Sequence, residues 1–113
     1  IVLNGWIFSL YGLYDLTLVD RDEKYKKALD KAVKSLGKHL EDFDNGYWSM
    51  YDVKGKITSP FYHNLHIAQL EALYLTFGDS TFKEMREQFE EYRNKLTNRS
   101  RAFIKKVIQK IMD

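Results

Sequence analysis

Val2-Leu3-Asn4-Gly5-Trp6-Ile7-Phe8-Ser9-Leu10-Tyr11-Gly12-Leu13-Tyr14-Asp15-Leu16-Thr17-Leu18 is apolar nearly all the way round a helix, and Asp15 is its only charge. A helix without a polar face has to bury most of its surface, so this stretch reads as an inner helix. Residues 21 to 42 read differently. Tyr25, Ala28, Leu29, Ala32, Val33, Leu36 and Leu40 recur at steps of three and four, with lysines and acids between them. That spacing predicts an outer helix with one covered face. Asp20, with Glu23 three residues on, has the pattern of a capping box for its start.

The same alternation returns downstream. Residues 63 to 77 are mostly apolar (Leu65, Ile67, Ala68, Leu70, Leu73, Tyr74, Leu75, Phe77) and end at Gly78. Residues 81 to 96 form a second one-faced pattern through Phe82, Met85, Phe89, Tyr92 and Leu96, capped by Asp79 or Ser80. Between the pairs, residues 44 to 62 carry Asp44-Asn45-Gly46, an aromatic run, Gly55 and the only proline, Pro60. Tyr47, Ser49, Tyr51 and Val53 alternate with Trp48, Met50 and Asp52, so a loop bearing a short β-hairpin is expected here. Residues 99 to 113 read as a basic amphipathic terminal helix, from about Ser100 to Met112.

Inner, outer, loop, inner, outer is a repeat, and each inner helix needs a neighbour on both sides. The expected fold is therefore all-α, a partial α/α toroid of helical hairpins, completed by further chain or by a second copy in a homodimer. With 113 residues there is room for one domain, residues 1–113. The opening at Ile1, directly into an apolar helix, suggests the C-terminal piece of something longer, so missing upstream signals locate nothing. Eighteen basic against sixteen acidic residues leave a net charge of +2. That balance argues against nucleic acid as a partner held by bulk charge. The absence of cysteine removes disulfides, thiolate metal sites and cysteine nucleophiles.

The loop is where chemistry is expected. It gathers Tyr47, Trp48, Tyr51, Asp52, Lys54, Lys56, Tyr62, His63 and His66, and long loops without a helix are usually functional. Aromatic faces suit the C–H faces of a pyranose, and cations suit a carboxylate, so the constellation fits a sugar acid. His63 and His66 are spaced to share a metal. No third ligand is evident, so hydrogen bonding is preferred and neither metal nor cofactor is expected. There is no Gly-rich phosphate loop, nucleophile elbow or paired-carboxylate glycosidase site. The terminal helix has the stripe of a membrane-surface helix, but such stripes more often pack.

Three blocks carry a family resemblance. They are Val2 to Leu16 as quoted, Tyr51-Asp52-Val53-Lys54, and Tyr62-His63-Asn64-Leu65-His66-Ile67-Ala68-Gln69-Leu70. Together they resemble the C-terminal domain of D-glucuronyl C5-epimerases, which remodel heparan-type chains, and the likeness runs from Val2 to about Arg101. The resemblance implies an α/α toroid and an acidic polysaccharide substrate. It implies inversion at C5 of glucuronate to iduronate without a cofactor, on the secretory or extracellular side. It places the acid/base tyrosines at Tyr51 and Tyr62, with Asn4, Trp48, Lys54, His63 and His66 as substrate contacts.

The chemistry is coherent. Removing the proton beside a carboxylate gives an enolate-like dianion that needs donors or cations, and two phenols flanking the ring would serve its two faces. A free phenol has a pKa near 10, while one cation at about 4 Å is worth roughly 4 kcal/mol at an effective dielectric near 20. Lys54 is the candidate cation, where the family has arginine. A lysine there lacks the bidentate fork. The Tyr51–Tyr62 stretch is shorter than in the animal enzymes and lacks their extra arginine, so the polymer need not be N-sulfated heparosan. The family's remaining site tyrosine and glutamate precede the Leu-Asn-Gly block. The neighbouring alternatives are a uronate lyase and a catalytically silent carbohydrate-binding or assembly module.

Overall fold

The computed structural model describes all residues from Ile1 to Asp113 as five helices and no sheet. Helix α1 spans Leu3–Val19 and α2 spans Glu23–His39, followed by a 3₁₀ turn at Leu40–Phe43. After the loop come α3 at Pro60–Phe77, α4 at Ser80–Asn94 and α5 at Leu96–Met112. Helix α1 packs on α2 and α3 on α4 as two helical hairpins, which meet through α1 and α3. This is the expected all-α order of paired helices. Helix α5 packs on α4 and lies against the loop, and the molecule is elongated, 48 × 28 × 20 Å. The radius of gyration, 15.3 Å, accordingly exceeds the about 13 Å of a rounded domain of this length.

The helix boundaries follow from local chemistry. The start of α2 is capped by Asp22, whose side chain accepts the Lys24 N–H at 3.0 Å, and not by Asp20. Asp20 instead accepts the Asp22 N–H at 3.0 Å, turning the chain just before the helix. Helix α3 begins three residues earlier than its apolar run, at Pro60, because proline's fixed φ suits a first helical position. The Ser59 side chain caps it. Tyr62 therefore stands in the first turn of α3 and not in the loop. Gly78 ends α3 in the left-handed conformation (φ +74°), and Asp79 caps α4 through the Thr81 N–H at 2.9 Å. Helix α5 starts at Leu96, earlier than the basic run suggested, after a single extended residue, Lys95.

The core is one cluster. Leu3, Ile7 and Leu10 of α1 meet Leu29, Val33 and Leu36 of α2, Ile67, Leu70 and Leu73 of α3, and Phe82, Phe89 and Tyr92 of α4. A fully buried phenylalanine such as Phe82 or Phe89 contributes about 1.5–3 kcal/mol. Helix α1 buries only this stripe and exposes Phe8, Leu18 and Val19 on its other side. Its apolar surround thus exceeds what one partner helix and α3 cover within these residues.

The expected hairpin is present only as isolated antiparallel bridges, Asp44 with Ser49, Met50 with Ile57 and Val2 with Asp52. No continuous ladder forms, because side chains and turns take over the backbone hydrogen bonds.

Candidate active site

The loop is held by its own short polar side chains. Asp44 accepts the Gly46 N–H at 2.9 Å, and Asn45 accepts those of Tyr47 and Trp48 at 3.1 and 2.9 Å. Gly46 makes this turn at φ +96°, which a residue with a Cβ adopts only under strain. A second turn follows, in which Asp52 accepts the N–H groups of Lys54 and Lys56 at 3.0 and 3.1 Å while Gly55 sits at φ +93°. Tyr51 is fixed from both sides. Its N–H donates to the Lys56 carbonyl at 2.6 Å, and its carbonyl accepts the Leu3 N–H at 3.1 Å. The loop tyrosine is thereby tied to the start of α1.

Tyr51 and Tyr62 come together. Their ring centroids are 5.6 Å apart with planes at 75°, an edge-to-face pair. With Lys56, Thr58, Ser59 and Lys106 they line one open hollow of about 210 Å³. That is smaller than the roughly 300–1,000 Å³ of a complete ligand pocket. Lys56 Nζ lies 5.7 Å from the Tyr51 ring centroid, and Lys106 Nζ donates to the Ile57 carbonyl at 3.0 Å. No carboxylate lines the hollow. The expectation of two phenols flanking a sugar ring needs a correction of geometry. A pyranose sandwiched between two rings requires about 7 Å or more between them, since each contact takes about 3.5–4 Å. Rings already in contact leave only their hydroxyl ends to meet a substrate.

Trp48, His63 and His66 are interior, at 1%, 0% and 0% exposure. As direct substrate contacts they are therefore misplaced, since each has its polar atoms engaged or covered inside the core. Trp48 stacks on His63 at 3.8 Å and donates its indole N–H to the Thr58 carbonyl at 3.0 Å. His63 Nε2 lies 2.8 Å from the Phe89 carbonyl, which can only accept, so the proton is on Nε2. His63 Nδ1 then accepts from the Ser49 hydroxyl at 2.8 Å and the Ser49 N–H at 3.3 Å. Ser49 Oγ, having given its proton, accepts from His66 Nδ1 at 3.0 Å. The result is a directed chain of donors, His66 to Ser49 to His63 to Phe89. It joins the loop to α3 and α4, and both imidazoles in it are neutral. Burial lowers His63 to about 4, with Arg93 adding to the effect and the Phe89 hydrogen bond opposing it. Burial and then His63 lower His66 to about 3.

The chain of donors leaves His66 Nε2 as a bare acceptor. It is buried without a partner, as are Asn4 Oδ1 and Gln69 Oε1. Asn4 sits at the α1–α3 contact, where its carbonyl receives Gln69 Nε2 at 3.4 Å, and it does not line the tyrosine hollow. Lys54 is exposed and lies outside the hollow as well. Lys56, two residues further on, lines the hollow instead. Lys106 was not among the expected site residues. No sequence signal near the loop points to it, because it lies more than forty residues further on in a helix that reads only as basic and amphipathic.

Helix α5 is tied to the loop by Gln109, which accepts the Ile57 N–H and donates to the Gly55 carbonyl, both at 2.9 Å. Its outer side exposes Phe103, Ile104, Ile108 and Ile111. No helix of the chain is long and apolar enough to cross a membrane.

These features meet in one comparison. The family model described as D-glucuronyl C5-epimerase C-terminus matches residues 1–91, which include α1, the whole loop and α3. An uncharacterised protein of Methanocaldococcus jannaschii is 28% identical over 90 residues, covering 80% of this chain and 29% of its own length. The chain thus spans less than a third of that relative. No solved structure matches significantly. The loop tyrosine tied to α1, the second tyrosine at the head of α3 and the Tyr-His-x-x-His run behind them all fall inside the matched residues, and the chain belongs to the D-glucuronyl C5-epimerase C-terminal family.

Proposed function

We propose that this domain serves C5-epimerisation of D-glucuronate residues to L-iduronate in an acidic, heparosan-like polysaccharide, with Tyr51 and Tyr62 as the acid/base pair. The observation that carries the reading is that these two tyrosines, eleven positions apart, line one hollow that contains two lysines and no carboxylate. In the reaction one tyrosine, as phenolate, takes the C5 proton, and the electron pair moves into the adjacent carboxylate. The other tyrosine gives its hydroxyl proton to the opposite face of C5. Nothing is oxidised, and the pair is restored by proton exchange with water. Positive charge beside the carboxylate stabilises the dianionic intermediate. Because the two rings touch, the hydroxyl ends and not the ring faces deliver these protons, with Tyr62, the more exposed, at the outer edge. Trp48, His63 and His66 act as the support that sets the loop against α3, and Asn4 contributes from the α1–α3 contact. Stacking of further helical hairpins on the open apolar side of α1, in the manner of an α/α toroid, belongs to the same proposal.

The test is incubation of the intact protein with a nonsulfated glucuronate polymer in heavy water. Deuterium at C5 with iduronate formation and intact chains supports epimerisation. An unsaturated, ultraviolet-absorbing product means a lyase, which begins with the same proton abstraction and then expels the C4 substituent. Binding with no exchange means a silent carbohydrate-binding module.

A further inference from the structure

The cations of the hollow have unequal origins. Lys56 comes from the loop and lies within the family-matched residues, whereas Lys106 comes from α5, beyond residue 91 where the match ends. The placement of Lys106 is built. Gln109, one turn further along α5, pairs with both the N–H of Ile57 and the carbonyl of Gly55, much as a neighbouring strand would. That pair of hydrogen bonds fixes the register of α5 on the loop, and Lys106 Nζ donates to the Ile57 carbonyl from the same helix. One ammonium hydrogen is thus used and two remain. Neither Lys56 nor Lys106 takes part in any ion pair. Burial lowers the pKa of Lys106 and Lys56 lowers it further, with the Asp113 carboxylate acting in the opposite direction. Two like charges held together in a partly covered hollow oppose each other, and an anion between them relieves that opposition. Phenol hydroxyls beside them suit an anion carried on a hydroxyl-rich molecule.

We propose that Lys106, delivered by α5, is a substrate-binding residue that grips the carboxylate of the uronate together with Lys56. The carboxylate grip expected of Lys54 thereby passes to a residue outside the family-matched region, making α5 a specificity element of this chain. The inference rests on the uronate-polymer reading only in taking the anion to be a sugar carboxylate.

Calorimetric binding to the intact protein tests it, with two probes: a heparosan oligosaccharide, and the same oligosaccharide with its carboxyls reduced to hydroxymethyl groups. The unaltered protein is expected to bind the carboxylate form about tenfold or more tightly than the reduced form, the measure of a charge-assisted hydrogen bond. Lys106→Ala is expected to lose about that factor for the carboxylate form alone, and Lys106→Arg to regain most of it. Lys105→Ala, the same loss of charge on an exposed neighbour, is expected to stay within about twofold. Equal binding of the two probes by the unaltered protein, no binding of either, or an unchanged preference in Lys106→Ala would each overturn the inference. C5 exchange is measured alongside. A Lys106-dependent carboxylate preference without exchange supports the grip and refutes the epimerase reading. Exchange with unaltered binding in Lys106→Ala does the reverse.

Discussion

Lowering the pH from 7 to 5 is expected to weaken the fold by about 4 kcal/mol through two histidines. In the unfolded chain His63 and His66 have the ordinary imidazole pKa near 6.5, whereas folded they stand at about 4 and about 3. As the pH falls below 6.5 the unfolded state takes up protons that the folded state refuses, so stability is complete above that value and declines as the pH drops. Between pH 6 and 5 each site contributes about 1 kcal/mol, giving a combined slope of about 2 kcal/mol per pH unit. Set against a typical total of about 5–15 kcal/mol, that is a large fraction, and it arises mostly above the range where carboxylates titrate. The hydrogen-bond chain explains why the rings resist protonation. A proton on His63 Nδ1 would face the Ser49 N–H and take away the acceptor for the Ser49 hydroxyl. Urea unfolding of the intact protein at pH 7, 6 and 5, with the imidazole proton resonances followed in parallel, provides the assay. Two imidazole resonances that stay unshifted down to pH 5, while the unfolding midpoint falls steeply, are expected. Titration of either buried ring near 6.5, or a midpoint that does not move, would refute the reasoning.

Gln109→Ala removes two of the three hydrogen bonds between α5 and the loop and leaves only that of Lys106. Each lost bond costs about 0.5–1.5 kcal/mol, more where a backbone group is left buried, so α5 is expected to become protease-sensitive well before the helical hairpins do. Limited proteolysis at residues 95–113, with unchanged resistance as the contrary result, checks this. Gly55→Ala and Gly37→Ala should move stability in opposite directions. The first is destabilising by about 1–2 kcal/mol because its φ is +93°, although nothing crowds the site. The second is stabilising by about 0.5–1 kcal/mol, since Gly37 is helical and a Cβ there meets Asp79 and Thr81 only at ordinary contact distance. Thermal unfolding of the two variants distinguishes the signs.

How much of this was legible in the sequence depended on whether the signal was local. The steps of three and four through Leu29, Val33 and Leu36, and through Phe82, Met85 and Phe89, identify α2 and α4 because one face of each meets the core. Gly78 and Asp79 mark the turn between α3 and α4 because each works on its own neighbours. Capping fails where two acids compete, as with Asp20 and Asp22, since the choice depends on where the incoming chain bends. Ser59-Pro60 is a proper helix start that the aromatic run obscured. His63 and His66 look like site residues in sequence because imidazoles are usually exposed or functional. Their burial follows from partners, Ser49 and Phe89, that only the fold assembles. Tyr51 and Tyr62 were reached through family resemblance. Their shared hollow follows from the Asp52 turn and the bond to Leu3, which bring the loop back over α3. Lys106 was invisible for the plainest reason. Nothing about a lysine on a basic helix tells which loop that helix will lie against.

The most direct test of the central claim is solvent deuterium incorporation at C5 of a glucuronate polymer by the intact protein and by its Tyr51→Phe and Tyr62→Phe variants. Each substitution removes one hydroxyl that is not needed by the core, so both variants are expected to fold and bind polymer as before. Each is also expected to lose exchange by at least about a hundredfold, the lower range for a general acid or base. Exchange at the unaltered rate in either variant would contradict the account.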